Sequence, residues 1–242
     1  MPALENDVII VTGASGALGR EMALRYSAEG ARVTLAARST ETLENVADQA
    51  AGQTIVATTD LRESDDITRA VERTVDEWGR VDTLVNNAGV GQISLGMRPL
   101  PFGEVDLDVW TTILETNLRG AFLFSKAVLP HMVEQERGNI VNVTSGLQNQ
   151  PIPGWGPYIV SKFGLAGLTE VMALEYYRDG VNVNLLFPGA RVESDFWPHL
   201  DEDQLADPNV MNDAAVALAA QEPRGITGEA KEANSWEYTL GY

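Results

Sequence analysis

Tyr158 and Lys162, in the stretch YIVSK, are the residues of this sequence best spaced to move a proton. Residues four apart share one face of a helix, with Cβ atoms about 5–6 Å apart. A free tyrosine has a pKa near 10, too high for an efficient base at neutral pH. A lysine cation about 5.5 Å away, at an effective dielectric constant of about 20, favours the tyrosinate by about 3 kcal/mol, which predicts a pKa about two units lower. Most such pairs are surface pairs, so the assignment depends on the surrounding sequence.

A glycine-rich loop, VIIVTGASGALGR at residues 8–20, has the pattern of a phosphate-binding loop. It follows a predicted strand and opens a helical pattern, which is the context that a dinucleotide site requires. Gly13 permits the tight turn, Gly16 lets the backbone approach a pyrophosphate, and Gly19 lets the helix pack closely on the sheet. The helix N-terminus offers free N–H groups to phosphates, and Ser15 adds a hydroxyl. An ordinary strand–helix turn is the alternative.

Short apolar runs alternate with longer helical patterns along the chain. The runs are rich in Val and Ile and predict strands at Val8–Thr12, Arg32–Ala36, Thr54–Ala57, Thr83–Asn86, Asn139–Val143 and Asn182–Phe187. Apolar residues recur at three and four positions between them, which predicts helices near 17–29, 40–50, 64–79, 106–135 and 157–179. This alternation predicts an α/β fold with a parallel sheet and helices on both faces. No linker divides the 242 residues, so we expect a single domain over 1–242.

The composition excludes several classes of function. A net charge of −18 argues against nucleic acid as a partner, because phosphates would be repelled. No run of eighteen apolar residues and no basic-then-apolar N-terminus is present, so we expect neither a membrane span nor a secretory signal, and a cytoplasmic location. The chain has no cysteine, and its two histidines, His131 and His199, lie far apart, so we expect no metal site.

The acidic residues are spread over many segments, and only three residues are lysine: Lys126, Lys162 and Lys231. One interpretation is an ordinary solubilising surface. The other is adaptation to high salt, where screening shortens charge repulsion to a few ångströms.

Further motifs occur in a fixed order along the chain. NNAG lies in TLVNNAGV at residues 83–90, Asn117 lies in ETNLRGAF, Ser145 stands thirteen residues before Tyr158, and FPG occupies 187–189. With the glycine loop, this set resembles the short-chain dehydrogenase/reductase family over about residues 7–195. The resemblance is to its short, oligomeric, single-domain branch, and it implies a Rossmann-type doubly wound parallel sheet.

The spacing T-G-x-x-G-x-x-G departs from this branch, which usually has glycine where this chain has Ala17. It is typical of the extended branch, so a nucleotide-sugar epimerase or dehydratase remains an alternative. The chain is too short for the substrate domain which that branch normally adds, and we interpret Gly16–Ala17 as a local variant. A non-catalytic, cofactor-sensing regulator is a further alternative, although such proteins typically lose the tyrosine or the lysine.

The resemblance implies a catalytic set of Asn117, Ser145, Tyr158 and Lys162. Tyr158 is the general acid for ketone reduction and the base for alcohol oxidation, and Ser145 hydrogen-bonds the substrate oxygen as charge develops there. Lys162 also binds the nicotinamide ribose, and Asn117 holds a water that relays protons from Lys162. Hydride transfer itself belongs to a nicotinamide cofactor.

NADP(H) is the favoured cofactor, with NAD(H), and an NAD-dependent alcohol or sugar dehydrogenase, as the alternative. The segment TLAARST at 34–40 has no carboxylate to bind a ribose 2′-hydroxyl, whereas Arg38 suits a 2′-phosphate and Ser39 adds a hydrogen bond. The other cofactor contacts are expected at Gly13, Ser15, Gly16, Leu18, Gly19, Asp60, Leu61, Asn87, Ala88, Gly89, Tyr158, Lys162, Pro188, Gly189 and Val192.

Two segments are expected to line a substrate pocket, near 146–157 and 190–210, and both mix aromatic and turn residues. The expected substrate contacts are Gln148, Trp155, Phe196 and Trp197. Arg191 alone is a weak indication of a carboxylate or thioester partner, and we expect an uncharged ketone or secondary alcohol as substrate. The tail residues Trp236, Tyr238 and Tyr242 are candidates to cover the pocket or an oligomer contact. The helices at 106–135 and 157–179 resemble those that pair subunits in the family, which implies a homotetramer or dimer.

Overall fold

Short β-branched runs form one sheet in the computed structural model, which describes residues 2–148 and 151–233. Within these residues the sheet has seven strands: β1 (Val8–Thr12), β2 (Arg32–Ala37), β3 (Thr54–Thr58), β4 (Thr83–Asn86), β5 (Gly138–Val143), β6 (Val181–Phe187) and β7 (Ala230–Glu232). Their order is β3-β2-β1-β4-β5-β6-β7, and all neighbours are parallel. The order reverses between β1 and β4, so a crevice opens beyond their carboxyl ends.

Helices cover both faces of the sheet: α1 (Ala17–Ala28), α2 (Thr40–Ala47), α3 (Ser64–Trp78), α4 (Leu107–Leu114), α5 (Gly120–Glu134), α6 (Gly156–Tyr176) and α7 (Asn212–Ala219). The core on one face joins α1, α2 and α7 to the sheet, and the core on the other joins α3, α5 and α6. In β1, Ile9 and Val11 face the first core and Ile10 faces the second. Strands buried on both faces are apolar throughout, and the predicted doubly wound α/β fold is confirmed.

The prediction of one continuous helix over 106–135 is wrong in the middle of this range. α4 and α5 are joined by a π-helical turn at Glu115–Arg119, which places Asn117 inward and buried. A π-turn inserts an extra residue into a helix, and such turns are frequent at functional sites. The spacing of apolar residues does not indicate this turn, because α4 and α5 have similar apolar patterns on either side of it.

The prediction omitted two elements near the C-terminal end. β7 is three residues long and contains Lys231 and Glu232, so its sequence, AKE, lacks the β-branched residues that mark a strand. α7 is eight residues long, half of them alanine, and is too short for a clear periodicity. Within the described part of the chain, no helix combines the length and apolar character needed to cross a bilayer.

Candidate active site

A cleft of about 440 Å³ opens at the carboxyl ends of β1, β4, β5 and β6. It runs from the end of β2, past the glycine loop, to the start of α6. The structure brings together in its lining most of the residues that the sequence singled out: Gly13, Ser15, Gly16, Leu18, Gly19, Arg38, Ser39, Asp60, Leu61, Asn87, Ala88, Gly89, Ser145, Trp155, Tyr158, Lys162, Pro188, Val192, Phe196 and Trp197.

Two predicted residues, Asn117 and Gly189, are not part of this lining. Asn117 lies behind the cleft wall. Gly189 has a φ of +71° and packs against Glu232, so it shapes the chain after β6 rather than facing the cleft. The side chain of Gln148, like the aromatic tail residues Trp236, Tyr238 and Tyr242, falls outside the described part of the structure.

The glycine loop is held tightly at two of its three glycines. Gly13 has a φ of +66°, and a Cβ there would lie 2.8 Å from the Ala88 Cα. A Cβ on Gly19 would lie 2.5 Å from the Asn87 Nδ2 and would also collide with the carbonyl of Gly13. Gly16 is different, because its nearest neighbour would be the Gly13 oxygen at 3.5 Å, an ordinary contact. Open space therefore remains above Gly16, where a ligand can approach the backbone.

The N-terminus of α1 is open to the same space. Gly16 is the N-cap residue, and no side chain caps the helix. The first-turn N–H groups of a helix lack partners within it and favour negative charge. The loop and this helix end therefore fit the pyrophosphate of a dinucleotide.

Thr12 and Asn87 bind the glycine loop to the chain after β4. The Asn87 side-chain amide donates to the backbone carbonyl oxygen of Thr12 at 3.0 Å and to that of Gly13 at 3.3 Å. The backbone N–H groups of Asn87 and Ala88 donate to the Thr12 hydroxyl at 3.0 and 3.1 Å. These bonds fix both walls of the cleft at the point where the strand order reverses.

Two arginines stand at the β2 end of the cleft. Arg38 is exposed, and it helps to lower the pKa of Asp60. Arg62, which the sequence prediction missed, pairs with the Asp60 carboxylate at 2.7 Å, and their hydrogen bond is the main cause of that lowered pKa. The side chain of Ser39 caps α2 by accepting from the Thr42 N–H at 3.3 Å. Among the residues that line this end of the cleft, two guanidinium groups and one carboxylate give a net positive charge.

Ser145 and Tyr158 meet at the other end. A side-chain hydrogen bond joins them and pulls the pKa of Tyr158 down, but burial is the stronger effect and raises that pKa to about 12. The tyrosine is only 7% exposed. The Leu147 N–H donates to the Ser145 hydroxyl at 3.2 Å and orients it.

Lys162 lies one helical turn beyond Tyr158, with its ammonium 5.7 Å from the centre of the tyrosine ring. It donates a 2.8 Å hydrogen bond to the carbonyl oxygen of Val143. Burial lowers its pKa to about 8. The predicted spacing is close to that observed, but the predicted lowering of the Tyr158 pKa is wrong for the protein alone, because the argument omitted desolvation of both groups.

Asn117 lies behind the cleft wall and hydrogen-bonds two of the segments that form the site. Its amide nitrogen donates to the Val90 oxygen at 2.9 Å and to the Ser161 hydroxyl at 3.0 Å, while its oxygen accepts from the Val90 N–H at 2.8 Å. Ser161 in turn donates to the Tyr158 carbonyl at 2.6 Å. The π-turn is thus bound both to the loop after β4 and to α6. The water-holding role implied for Asn117 stays a prediction.

Aromatic rings enclose the Tyr158 end of the cleft. Trp155 lies 5.8 Å from the Tyr158 ring and 5.4 Å from the Trp197 ring, and Phe196 lies 5.4 Å from the Tyr158 ring. The sequence prediction missed Asp195, which lines the same end. Asp195 directly precedes Phe196 and Trp197 in the sequence, so these two predicted substrate contacts could have indicated it. No cluster of three or more His, Cys, Asp or Glu that could hold a metal occurs in the described residues.

The whole arrangement fits a nicotinamide dinucleotide. The positive end beside Arg38 suits the adenosine half, the open glycine loop suits the pyrophosphate, and the Ser145–Tyr158 end suits a reacting carbonyl. A buried hydroxyl pair of this kind can donate hydrogen bonds, and one proton, to an oxygen on which charge develops.

Comparisons with known proteins agree with this geometry. A family model described as short chain dehydrogenase matches residues 7–205. The 3-oxoacyl-(acyl-carrier-protein) reductase of Vibrio cholerae is 32% identical over 249 residues, covering 98% of this chain and 99% of its own. A solved metagenomic short-chain oxidoreductase in complex with NADP has a TM-score of 0.82 and 30% identity, covering 95% of this chain and 97% of its own. Carveol dehydrogenase from Mycobacterium avium in complex with NAD has a TM-score of 0.87 and 25% identity, covering 96% and 97%.

Proposed function

This chain belongs to the short-chain dehydrogenase/reductase family and is an oxidoreductase of that type, and on that premise we propose that it transfers a hydride between NADP(H) and a ketone or secondary alcohol. The observation that carries the proposal is the convergence of Ser145, Tyr158 and Lys162 at one end of a cleft whose other end carries two arginines. A bound nicotinamide supplies or accepts the hydride.

Tyr158 supplies the proton in the reducing direction. Its raised pKa keeps the phenol protonated across the neutral range, so it can donate to a carbonyl oxygen that gains charge. Ser145 hydrogen-bonds the same oxygen and stabilises the developing charge. In the oxidising direction Tyr158 accepts the alcohol proton, which requires positive charge nearby to stabilise the tyrosinate. Lys162 stands where it provides that charge.

The positive end of the cleft supports NADP(H) over NAD(H). Residues 34–40 contain no carboxylate, and Arg38 lines the cleft just after β2, where its guanidinium can bind a 2′-phosphate. Because Asp60 is paired with Arg62, its repulsion of a phosphate is partly cancelled. Solved relatives are described with NADP and with NAD, so the family alone does not decide the preference.

Titration calorimetry with both reduced cofactors tests the preference. We expect NADPH to bind more tightly than NADH, and Arg38→Ala to weaken NADPH by about 1.5–3 kcal/mol with little change for NADH. Arg62→Ala should have a smaller effect of the same sign. Arg178→Ala, which removes an exposed arginine that does not line the cleft, is the matched control. Equal affinities of the unmutated protein for the two cofactors would contradict the preference.

An apolar stripe on α6 supports a homo-oligomer built on that helix. Val160, Phe163, Val171 and Leu174 are 40%, 53%, 52% and 83% exposed. Their spacing places them on one face of the helix, and Gly167, at the middle of the stripe, has open space around it. So large an apolar surface is unusual in a chain of charge −18 unless a second copy covers it.

Light scattering on a sizing column tests this proposal. We expect a dimer or tetramer for the unmutated protein and a monomer for Leu174→Glu combined with Phe163→Glu. Ala51→Glu, an added charge on the exposed segment after α2, should leave the assembly intact. A monomeric unmutated protein would rule the proposal out.

A further inference from the structure

Four aromatic rings surround the place where a substrate carbonyl would meet Tyr158. The Trp155 ring meets Tyr158 edge to face, at an interplanar angle of 75°. The Trp197 ring lies at 31° to the Trp155 ring, and Phe196 leans on Tyr158 at 60°. Together these four rings, with Ile93, Leu147 and Ile159 beside them, form an apolar cluster separate from the two main cores.

Gly91 lets two of these rings close over the site. A Cβ at Gly91 would lie 3.0 Å from Phe196 Cε1 and 3.5 Å from Trp155 Cζ3. The first of these distances is too short for most side-chain contacts, so even alanine at this position would push Phe196 away. The chain after β4 thus forms a flat base on which the two aromatic rings rest.

The rings come from segments of different rigidity. Trp155 is the N-cap residue of α6 and only 4% exposed, so it is a fixed wall. Phe196 and Trp197 lie on the loop after β6, which is closed at its base by bonds between Arg191 and Ala206 at 2.7 Å and between Glu193 and Ala206 at 3.1 Å. Both rings are partly exposed. A ligand entering the cleft can therefore displace Phe196 from Tyr158 without disturbing Trp155.

The charges at this end are unfavourable to an anionic substrate. Among the described lining residues, the charged groups here are Asp195 and Lys162, and the Lys162 ammonium is bound to Val143. Arg191 lies over the Trp197 ring, 5.2 Å from its centre. Residues 190–210 contain this one basic residue against six acidic ones. An acyl thioester of a carrier protein or coenzyme A brings phosphates, which this loop would repel.

We propose that the substrate is a ketone whose carbonyl is attached to a flat aromatic ring, and that this ring binds between Trp155 and Phe196 in place of the present contact of Phe196 with Tyr158. The proposal rests on the hydride transfer proposed above. The carbonyl carbon gains a hydride from the reduced nicotinamide and the oxygen gains the Tyr158 proton. The products are a secondary alcohol and the oxidised cofactor, and Tyr158 regains its proton from water.

The test compares kcat/KM for acetophenone, cyclohexyl methyl ketone and 2-octanone, which have equal numbers of carbon atoms, and for acetoacetyl coenzyme A. We expect acetophenone to exceed 2-octanone by about ten-fold, since each of the two aromatic contacts is worth a factor of about two to ten. Cyclohexyl methyl ketone should fall between them, and acetoacetyl coenzyme A should be the poorest.

Variants in the loop after β6 test whether Phe196 causes the preference for the aromatic ketone. Phe196→Ala should reduce the ratio of acetophenone to 2-octanone by about two- to ten-fold, mostly through KM. Phe196→Leu is the milder variant if the alanine variant fails to fold. Phe122→Ala removes an exposed ring on α5 that does not line the cleft, and it should leave the ratio unchanged. An unchanged ratio in both Phe196 variants, or acetoacetyl coenzyme A as the best substrate, overturns the aromatic assignment while leaving hydride transfer intact.

A binding measurement separates this proposal from the reaction itself. If no ketone or alcohol is turned over with either cofactor, the proposed function fails. Titration of 1-phenylethanol into the protein by calorimetry still decides the aromatic site: saturable binding that weakens in Phe196→Ala supports it, and absence of binding overturns it.

Discussion

The ammonium of Lys162 lies 5.7 Å from the centre of the Tyr158 ring, and both side chains are almost fully buried. Burial lowers the pKa of Lys162 to about 8 and raises that of Tyr158 to about 12, because each loses hydration of its charged form. Without cofactor, Tyr158 is therefore a proton donor across the neutral range. Ionising it for alcohol oxidation requires added positive charge, and the oxidised nicotinamide carries such a charge.

The buried lysine should make stability depend on pH. The pKa of Lys162 falls from 10.5 unfolded to about 8 folded, so its charged form costs about 3 kcal/mol at pH 7. The hydrogen bond to Val143 offsets about 1 kcal/mol of this. We expect Lys162→Met to be more stable than the unmutated protein by about 2 kcal/mol at pH 7, measured by urea unfolding.

The sign of the pH dependence is fixed by which state binds more protons. Between about pH 8 and 10.5 the unfolded protein keeps a proton on Lys162 that the folded protein has lost, so the unmutated protein gains stability as pH rises. The difference between the two proteins should therefore shrink across this window. Lys126→Met, at an exposed position on α5, is the control. A difference that stays constant from pH 7 to pH 10 would show that burial does not perturb Lys162.

The three glycines of the phosphate loop should respond differently to alanine. Gly19→Ala places a Cβ against Gly13 and Asn87, so we expect a loss of several kcal/mol of stability or failure to fold. Gly16→Ala meets only an ordinary contact, so the melting temperature should change little. Cofactor affinity should nevertheless fall in Gly16→Ala, because the methyl group occupies the space through which a pyrophosphate approaches. Equal melting temperatures for the two variants would contradict this geometry.

The acidic composition should make the protein salt-dependent. With a net charge of −18, carboxylates repel one another across the molecule at about 0.01 M salt, where the Debye length is about 30 Å. At about 1 M it is about 3 Å, and only neighbours still interact. We expect the melting temperature and the activity both to rise steeply from dilute buffer into molar KCl.

A parallel series in sucrose separates screening from general exclusion effects. A melting temperature that rises in sucrose but stays flat in KCl would show that the acidic residues form an ordinary solubilising surface.

The architecture and most of the cleft could be predicted because local signals carry them. Strands buried on both faces are continuous apolar runs, and Gly13 and Gly19 are required by contacts with the chain after β4. The π-turn at Asn117 could not be predicted, since it depends on hydrogen bonds to Val90, distant in the sequence. The Tyr158 pKa was predicted in the wrong direction because spacing gives the distance to Lys162 but not the burial of both groups.

Arg62 was missed for a related reason. Its side chain reaches the cleft through a pair with Asp60, two residues earlier, and the sequence alone gives no direction to either side chain. The aromatic residues of the loop after β6 were predicted as substrate contacts from composition. The contacts of Phe196 with Tyr158 and of Trp197 with Trp155 required the fold, which brings Trp155 and Phe196 together over Gly91.

Single-turnover kinetics of Tyr158→Phe tests the central account most directly. With protein in excess over NADPH and a saturating reactive ketone, nicotinamide absorbance reports hydride transfer, and calorimetry on the same sample reports NADPH affinity. We expect the variant to lose about two to four orders of magnitude in rate, since its proton donor is gone, while NADPH binds within a few-fold of the unmutated protein. A rate within a few-fold of the unmutated protein would contradict the assignment of Tyr158 as the proton donor.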